Sequence, residues 1–177
     1  EDIEFVARQG LFRGTSETTF SPDMAMTRGM FVTVIGRLAQ ADISEYKESS
    51  FADVPGDAYY MGYIEWARSH NIINGVGNGR FAPDQSITRE QMAVILLNYA
   101  NAIGFTLPKV HEENIFADND QISAYARDAV SQMQMAGIIN GKTGNVFDPQ
   151  GTATRAEVSA VLRRFAEMVG TEGNGER

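Results

Sequence analysis

The chain has no cysteine among its 177 residues. That excludes disulfides, thiolate metal ligands and a cysteine nucleophile, and it is compatible with secretion without requiring it. Basic residues are scarce: 15 Lys and Arg face 23 Asp and Glu, a net charge of −8. A nucleic-acid partner would need clustered cations to neutralise phosphates, so none is expected. No apolar run approaches the roughly 18 residues of a membrane span, so no membrane insertion is expected. There are only two histidines. His70 and His111 stand far apart, with no nucleophile or metal partner at a readable spacing. No leader pattern is visible and Glu1 already reads as helix, so the chain is expected to be a mature fragment or a piece excised from something longer. What remains is ordinary for a globular protein, 43% hydrophobic and 21% charged, and long enough for one good core or several small units sharing one.

What the chain does have is an internal repeat. The stretch "NIINGVGNGRFAPDQSITREQ", from Asn71 to Gln91, returns 66 residues later as "GIINGKTGNVFDPQGTATRAE", from Gly137 to Glu157. Aligning Gly75 with Gly141 also puts Tyr59 on Tyr125, Phe81 on Phe147, Pro83 on Pro149 and Arg89 on Arg155. A third copy lies upstream at an offset of 61, "GLFRGTSETTFSPDMAMTRGM". There Gly14, Phe20, Pro22, Thr27 and Arg28 take the matching places. Constant spacing in three copies marks a repeat architecture.

Each copy reads alike. A first helix carries apolar residues at helical spacing, such as Ile64 and Ala67 or Val130 and Met133. Gly10, Asn71 and Gly137 then suit a left-handed cap. A glycine-rich loop follows, and the Phe-x-Pro pattern predicts an extended segment, because the residue before proline avoids helical angles. Thr27, Thr88 and Thr154 cap a second helix. Gln91 and Glu157 complete capping boxes in copies two and three, whereas Met30 leaves copy one with a weaker start. A two-helix unit cannot bury its apolar face alone. The expected fold is therefore all-α: three helix–loop–helix repeats packed as one pseudo-threefold bundle. The expected boundaries are 1–43 (incomplete at its beginning), 51–104 and 116–170, forming one compact domain. Residues 171–177 read as a disordered tail.

The combination of Phe-x-Asp, an aromatic, Gly-Ile-Ile-x-Gly, Phe-x-Pro and Thr-Arg-Ala-Glu resembles the S-layer homology domain, over nearly the whole chain to about Gly170. The resemblance implies an extracellular module that anchors a larger secreted protein to the bacterial cell wall. The implied ligand is secondary cell-wall polysaccharide, often bearing a pyruvate ketal, held in grooves between neighbouring repeats. The family's ligand arginine maps onto Arg89 and Arg155, and less securely onto Arg28, because copy one reads "TRGM". The early Asp maps onto Asp53 and Asp118, and the early aromatic onto Tyr59 and Tyr125. Gly75 and Gly141 fall in the loop that would approach the sugar.

The arginine is informative on its own account. It takes the first helical position, where the macrodipole disfavours a cation by ~0.3–1 kcal/mol. An anion there would meet free first-turn N–H groups and a guanidinium fork, and a pyruvyl carboxylate fits that description. Tyr59, Tyr125 or Trp66 could stack on a sugar face. The other reading stays open: each Arg pairs with an Asp and only holds the bundle together. Asp53 and Asp118 could equally cap a first helix, and Trp66 with Tyr63 could be core. Decoys fail. "INGKTG" lacks the upstream glycine of a phosphate loop, and "DNDQIS" lacks the calcium loop's glycine. No cofactor, metal or catalytic residue is expected. The alternatives are a structural protein–protein interaction module and, more remotely, a glycan hydrolase, for which the acidic pairs look too solvated.

Overall fold

The computed structural model describes residues 1–12 and 21–172; Arg13, Gly14 and Phe20, and residues 173–177 of the expected tail, lie outside them. Among the described residues six α-helices carry the fold: α1 Asp2–Arg8, α2 Arg28–Leu38, α3 Met61–Ser69, α4 Arg89–Ala102, α5 Arg127–Met135 and α6 Arg155–Glu172. Short 3-10 turns at Asn119–Gln121 and Ala124–Ala126 lead into α5. Among the described residues there is no strand, only isolated β-bridges. The protein is all-α.

The punctuation follows the sequence. Gly10, Asn71 and Gly137 have φ of +66°, +58° and +71° after the first helices, as left-handed caps require. Thr27 Oγ1 accepts from the Met30 N–H at 3.1 Å. Thr88 and Gln91 form a reciprocal capping box, and so do Thr154 and Glu157.

The helices pair across copies. α3 packs on α2, α5 on α4, and α1 on α6. Each first helix thus docks on the second helix of the preceding copy, and the last pair joins the two ends of the chain. The segments before the second helices also close on one another. Met26 N donates to Ala153 O at 2.9 Å, Ile87 N to Met26 O at 2.8 Å, and Ala153 N to Ile87 O at 3.1 Å. Each of those residues is fully buried. Around this ring lies a contiguous apolar core that includes Phe31, Ile64, Phe81, Met92, Phe147 and Phe165.

Two local expectations are corrected. The middle residue of Phe-x-Pro is not extended: Ser21, Ala82 and Asp148 have φ of +51°, +57° and +58°. The tertiary hydrogen bonds described below hold Ala82 and Asp148 there against the local preference. Nor are the first-turn N–H groups of the second helices free. Arg28 N and Gly29 N donate to Gln85 O and Pro83 O, Arg89 N and Glu90 N to Gly151 O and Pro149 O, and Arg155 N and Ala156 N to Met24 O and Pro22 O. The loop of another copy takes the place that an anion was expected to fill.

Candidate functional site

The three arginines occupy equivalent places at the seams between copies, and each is only 5% exposed. Arg28 lays its guanidinium 4.6 Å over the Phe81 ring and donates through Nε to Phe81 O at 3.0 Å. Arg89 repeats this one copy on, 5.0 Å over Phe147, with Nε on Phe147 O at 2.8 Å and Nη2 on Asn140 O at 2.7 Å. Arg155 lies 5.2 Å over Phe12. Burial pushes all three guanidinium groups below their ordinary value, as desolvation of a cation must.

Their openings differ. Arg28 lines a cleft of about 470 Å³, with Asn74 and Gly75 of the next loop, Gln91 and Asn98 of α4, and Tyr125 from the third copy. Arg155 lines a cleft of about 360 Å³, with Phe12, Met30 and Arg37 of the first copy and Tyr59 from the second. These are the same positions of the repeat: Met30 corresponds to Gln91, Arg37 to Asn98 and Tyr59 to Tyr125. Around Arg89 the corresponding position holds Glu157, whose Oε1 lies 3.9 Å from Arg89 Nη1. Among the described residues Arg28 has no carboxylate within 4 Å, and its Nη groups make no hydrogen bond. The interior ion pair with an aspartate, left open by the sequence, is absent at Arg28. Carbonyl oxygens take that role instead.

The remaining candidates separate. Tyr59 and Tyr125 are 56% and 63% exposed, each with its ring on a cleft. Trp66 is buried, packed against His70. Asp53 and Asp118 line neither arginine cleft and cap no helix. Asp53 Oδ1 and Oδ2 accept from Phe81 N and Ala82 N, both at 2.8 Å. Asp118 does the same for Phe147 N and Asp148 N, both at 2.8 Å. Gly75 lines the Arg28 cleft, but a Cβ there would meet Arg80 O at 2.6 Å and the Phe51 ring at 2.9 Å. At Gly141 a Cβ would meet the Phe116 ring at 2.5 Å. These glycines admit a phenylalanine. The stripe Gln91, Val94 and Asn98, which forms the cleft wall with its counterparts Met30, Thr33 and Arg37, escaped sequence reasoning. Its signal was helical spacing one residue aside from the apolar face. Among the described residues no cluster of three or more potential metal ligands occurs, and no helix is long and apolar enough to cross a membrane.

The model of the S-layer homology domain matches three segments, residues 1–29, 50–93 and 115–159. The chain belongs to the S-layer homology domain family. Its relatives include an amylopullulanase of Thermoanaerobacterium thermosulfurigenes, 36% identical over 173 residues, which are 95% of this chain and 9% of that protein. An S-layer protein of Bacillus thuringiensis subsp. finitimus is 25% identical over 172 residues, 97% of this chain and 20% of that protein. A cellulosome-anchoring protein of Acetivibrio thermocellus is 24% identical over 151 residues, 84% of this chain and 33% of that protein. The chain thus spans no more than a third of the length of these three relatives. Family membership makes it an extracellular module of cell-surface anchoring, of a kind found within larger secreted proteins.

Proposed function

We propose that this S-layer homology module binds secondary cell-wall polysaccharide non-covalently, gripping a carboxylate-bearing sugar, a pyruvyl ketal, in the Arg28 and Arg155 clefts. One observation carries the reading. Among the described residues the Arg28 side chain is almost wholly buried, hydrogen-bonds through Nε alone, has no carboxylate within 4 Å and opens onto a cleft of about 470 Å³. A buried cation with no carboxylate within ion-pair distance is costly, and an incoming carboxylate would relieve that cost with two parallel hydrogen bonds. Tyr125 and Tyr59 offer exposed ring faces beside the charge for the apolar face of the sugar. Glu157, close to Arg89, is the chain's own carboxylate at the equivalent place and leaves that seam a poor third site. Arg28, which the motif ranked last, is thereby the leading candidate. Asp53 holds Phe81 beneath Arg28, Gly75 lines that cleft, Asp118 and Gly141 line neither cleft, and none of the four grips the sugar. A polymer engaging both clefts would gain avidity.

The reading is non-catalytic. The same segment recurs in relatives named as an enzyme and as S-layer and anchoring proteins, so anchoring is the role they have in common. Co-sedimentation with purified walls tests it. Arg28→Lys and Arg155→Lys keep the charge and lose the fork, so the double variant should bind at least about tenfold more weakly. Removing pyruvyl groups from the polymer should have the same effect. Undiminished retention on walls stripped of the polymer would sink the reading in favour of a protein partner.

A further inference from the structure

Glu90, the second residue of α4, is a carboxylate sealed in the fold, 1% exposed. Four donors reach it. Ser123 N donates to Oε2 at 2.9 Å, and Ser123 Oγ and Gln150 Nε2 each donate to Oε1 at 2.7 Å. The fourth is the Tyr125 hydroxyl, 3.4 Å from Oε1. The repeat does not ask for an acid at this place, since the equivalent residues are Gly29 and Ala156. At Gly29 an aromatic ring fills the room: a Cβ there would meet Tyr60 Cδ1 at 3.0 Å, and the place of Tyr60 in copy three is held by Ala126. A desolvated carboxylate is costly where an apolar residue would serve. Glu90 therefore needs a reason beyond packing.

Tyr125 lines the Arg28 cleft, and Glu90 fixes what its hydroxyl does there. An ionised carboxylate only accepts, so the phenol gives its proton to Glu90 and turns oxygen lone pairs alone to the cleft. Burial, with the charge and the hydrogen bond of Glu90, pushes the phenol above its ordinary value against the opposing pull of Arg28, so it keeps that proton at neutral pH. Two amides of the cleft are fixed as firmly. The Thr88 N–H can only donate, so Gln91 gives it Oε1 at 3.1 Å and keeps its NH₂. Ile72 O can only accept, so Asn98 gives it Nδ2 at 3.1 Å and keeps Oδ1. The cleft thus carries a set pattern, donors at Arg28 and Gln91 and acceptors at Asn98 and Tyr125. A carboxylate answers the first pair. Only a group that donates answers the second.

Resting on the anchoring reading above, we infer that Glu90 is a positioning residue for specificity: by holding the Tyr125 proton it makes the Arg28 cleft require a free hydroxyl on the sugar that bears the carboxylate. Arg28 and Tyr125 lie near enough to act on each other electrostatically, so one sugar spans both. Where that hydroxyl is capped, two acceptor oxygens face each other with no proton between them, and both lose their partner.

The probes are a pyruvylated hexoside and its mono-O-methyl ethers, which keep the oxygen and lose the proton. They are titrated against the whole chain, with the side-chain amides of Gln91 and Asn98 followed by NMR. One ether should bind about tenfold more weakly than the parent hexoside. Glu90→Gln brings an NH₂ that donates to the phenol, whose proton then turns to the cleft and meets the ether oxygen. That variant should bring the ratio of parent to ether near one, and the Tyr125 phenol should titrate at lower pH than before. Tyr125→Phe removes the acceptor and should also bring the ratio near one. No loss for any ether, a loss that survives either substitution, or an unmoved phenol titration overturns the inference while leaving the anchoring reading intact. Should the parent hexoside itself move neither amide, both readings fall. If Glu90→Gln does not fold, Tyr125→Phe decides alone: a loss that persists there counts against the inference.

Discussion

Asp53 shows how a side chain can serve a site without touching it. Its two oxygens accept the N–H groups of Phe81 and Ala82, pinning Ala82 at φ +57° and setting Phe81, on which Arg28 rests. Burial pushes the carboxyl up, but these two bonds, with Arg80 3.5 Å away, outweigh it and hold its pKa below the ordinary value. A carboxylate whose pKa is depressed on folding contributes stability above its unfolded value, near pH ~4, and loses it as pH falls through the folded value. Asp53→Asn has one acceptor oxygen and turns an NH₂ toward the second donor. It should cost ~1–3 kcal/mol at neutral pH. Urea denaturation should find the difference from the parent narrower at pH 3 than at pH 7. The arginines and these aspartates were legible as recurring residues, but their roles were not. The spacing reveals that Arg28 recurs, and only the partner loop more than fifty residues away decides whether it meets a carbonyl, a carboxylate or an open cleft.

At the scale of elements, most of the local grammar could be read in advance. The threonine caps, the two capping boxes and the left-handed residues at Gly10, Asn71 and Gly137 follow from short-range rules and are present. What could not be read was set by distant contacts. The first-turn N–H groups are taken by a neighbouring loop, and the glycines of the Gly-Ile-Ile-x-Gly signature owe their identity to aromatic rings. The Phe116 ring lies where a Cβ on Gly141 would go, at 2.5 Å, and Val146 O stands at 3.3 Å. Gly141→Ala should therefore destabilise the protein by ~1–3 kcal/mol through overpacking, while leaving sugar affinity at the Arg28 cleft unchanged. Thermal unfolding together with probe titration separates the two effects. A loss of affinity without loss of stability would instead assign the glycine to ligand contact.

The whole molecule is held shut by a pairing that no single copy contains. Arg163 of α6 reaches Glu1 at 2.8 Å and Asp2 at 2.9 Å, and also bonds Glu167 on its own helix at 2.8 Å. Around it α1 buries Val6 against the core. Solvent-facing ion pairs are worth ~0–1 kcal/mol each, so Arg163→Ala should hardly change global unfolding. Hydrogen exchange should nevertheless quicken in α1 ahead of α3 and α5, and added salt should reproduce part of that effect. Uniform exchange across all three first helices would refute this account of the seam.

The α1–α6 pairing also constrains how the molecule is made. Within this module α1 is made before the other five helices of the described residues and α6 after them, so the greasy side of α1 must wait for its partner surface while the helices between are assembled. Because α3 and α5 are shaped to sit on kindred helices, another molecule's helix can settle into the vacancy first. Crowded, newly exported chains should consequently be prone to swapping helices and linking into strings, a hazard that dilution during refolding should suppress.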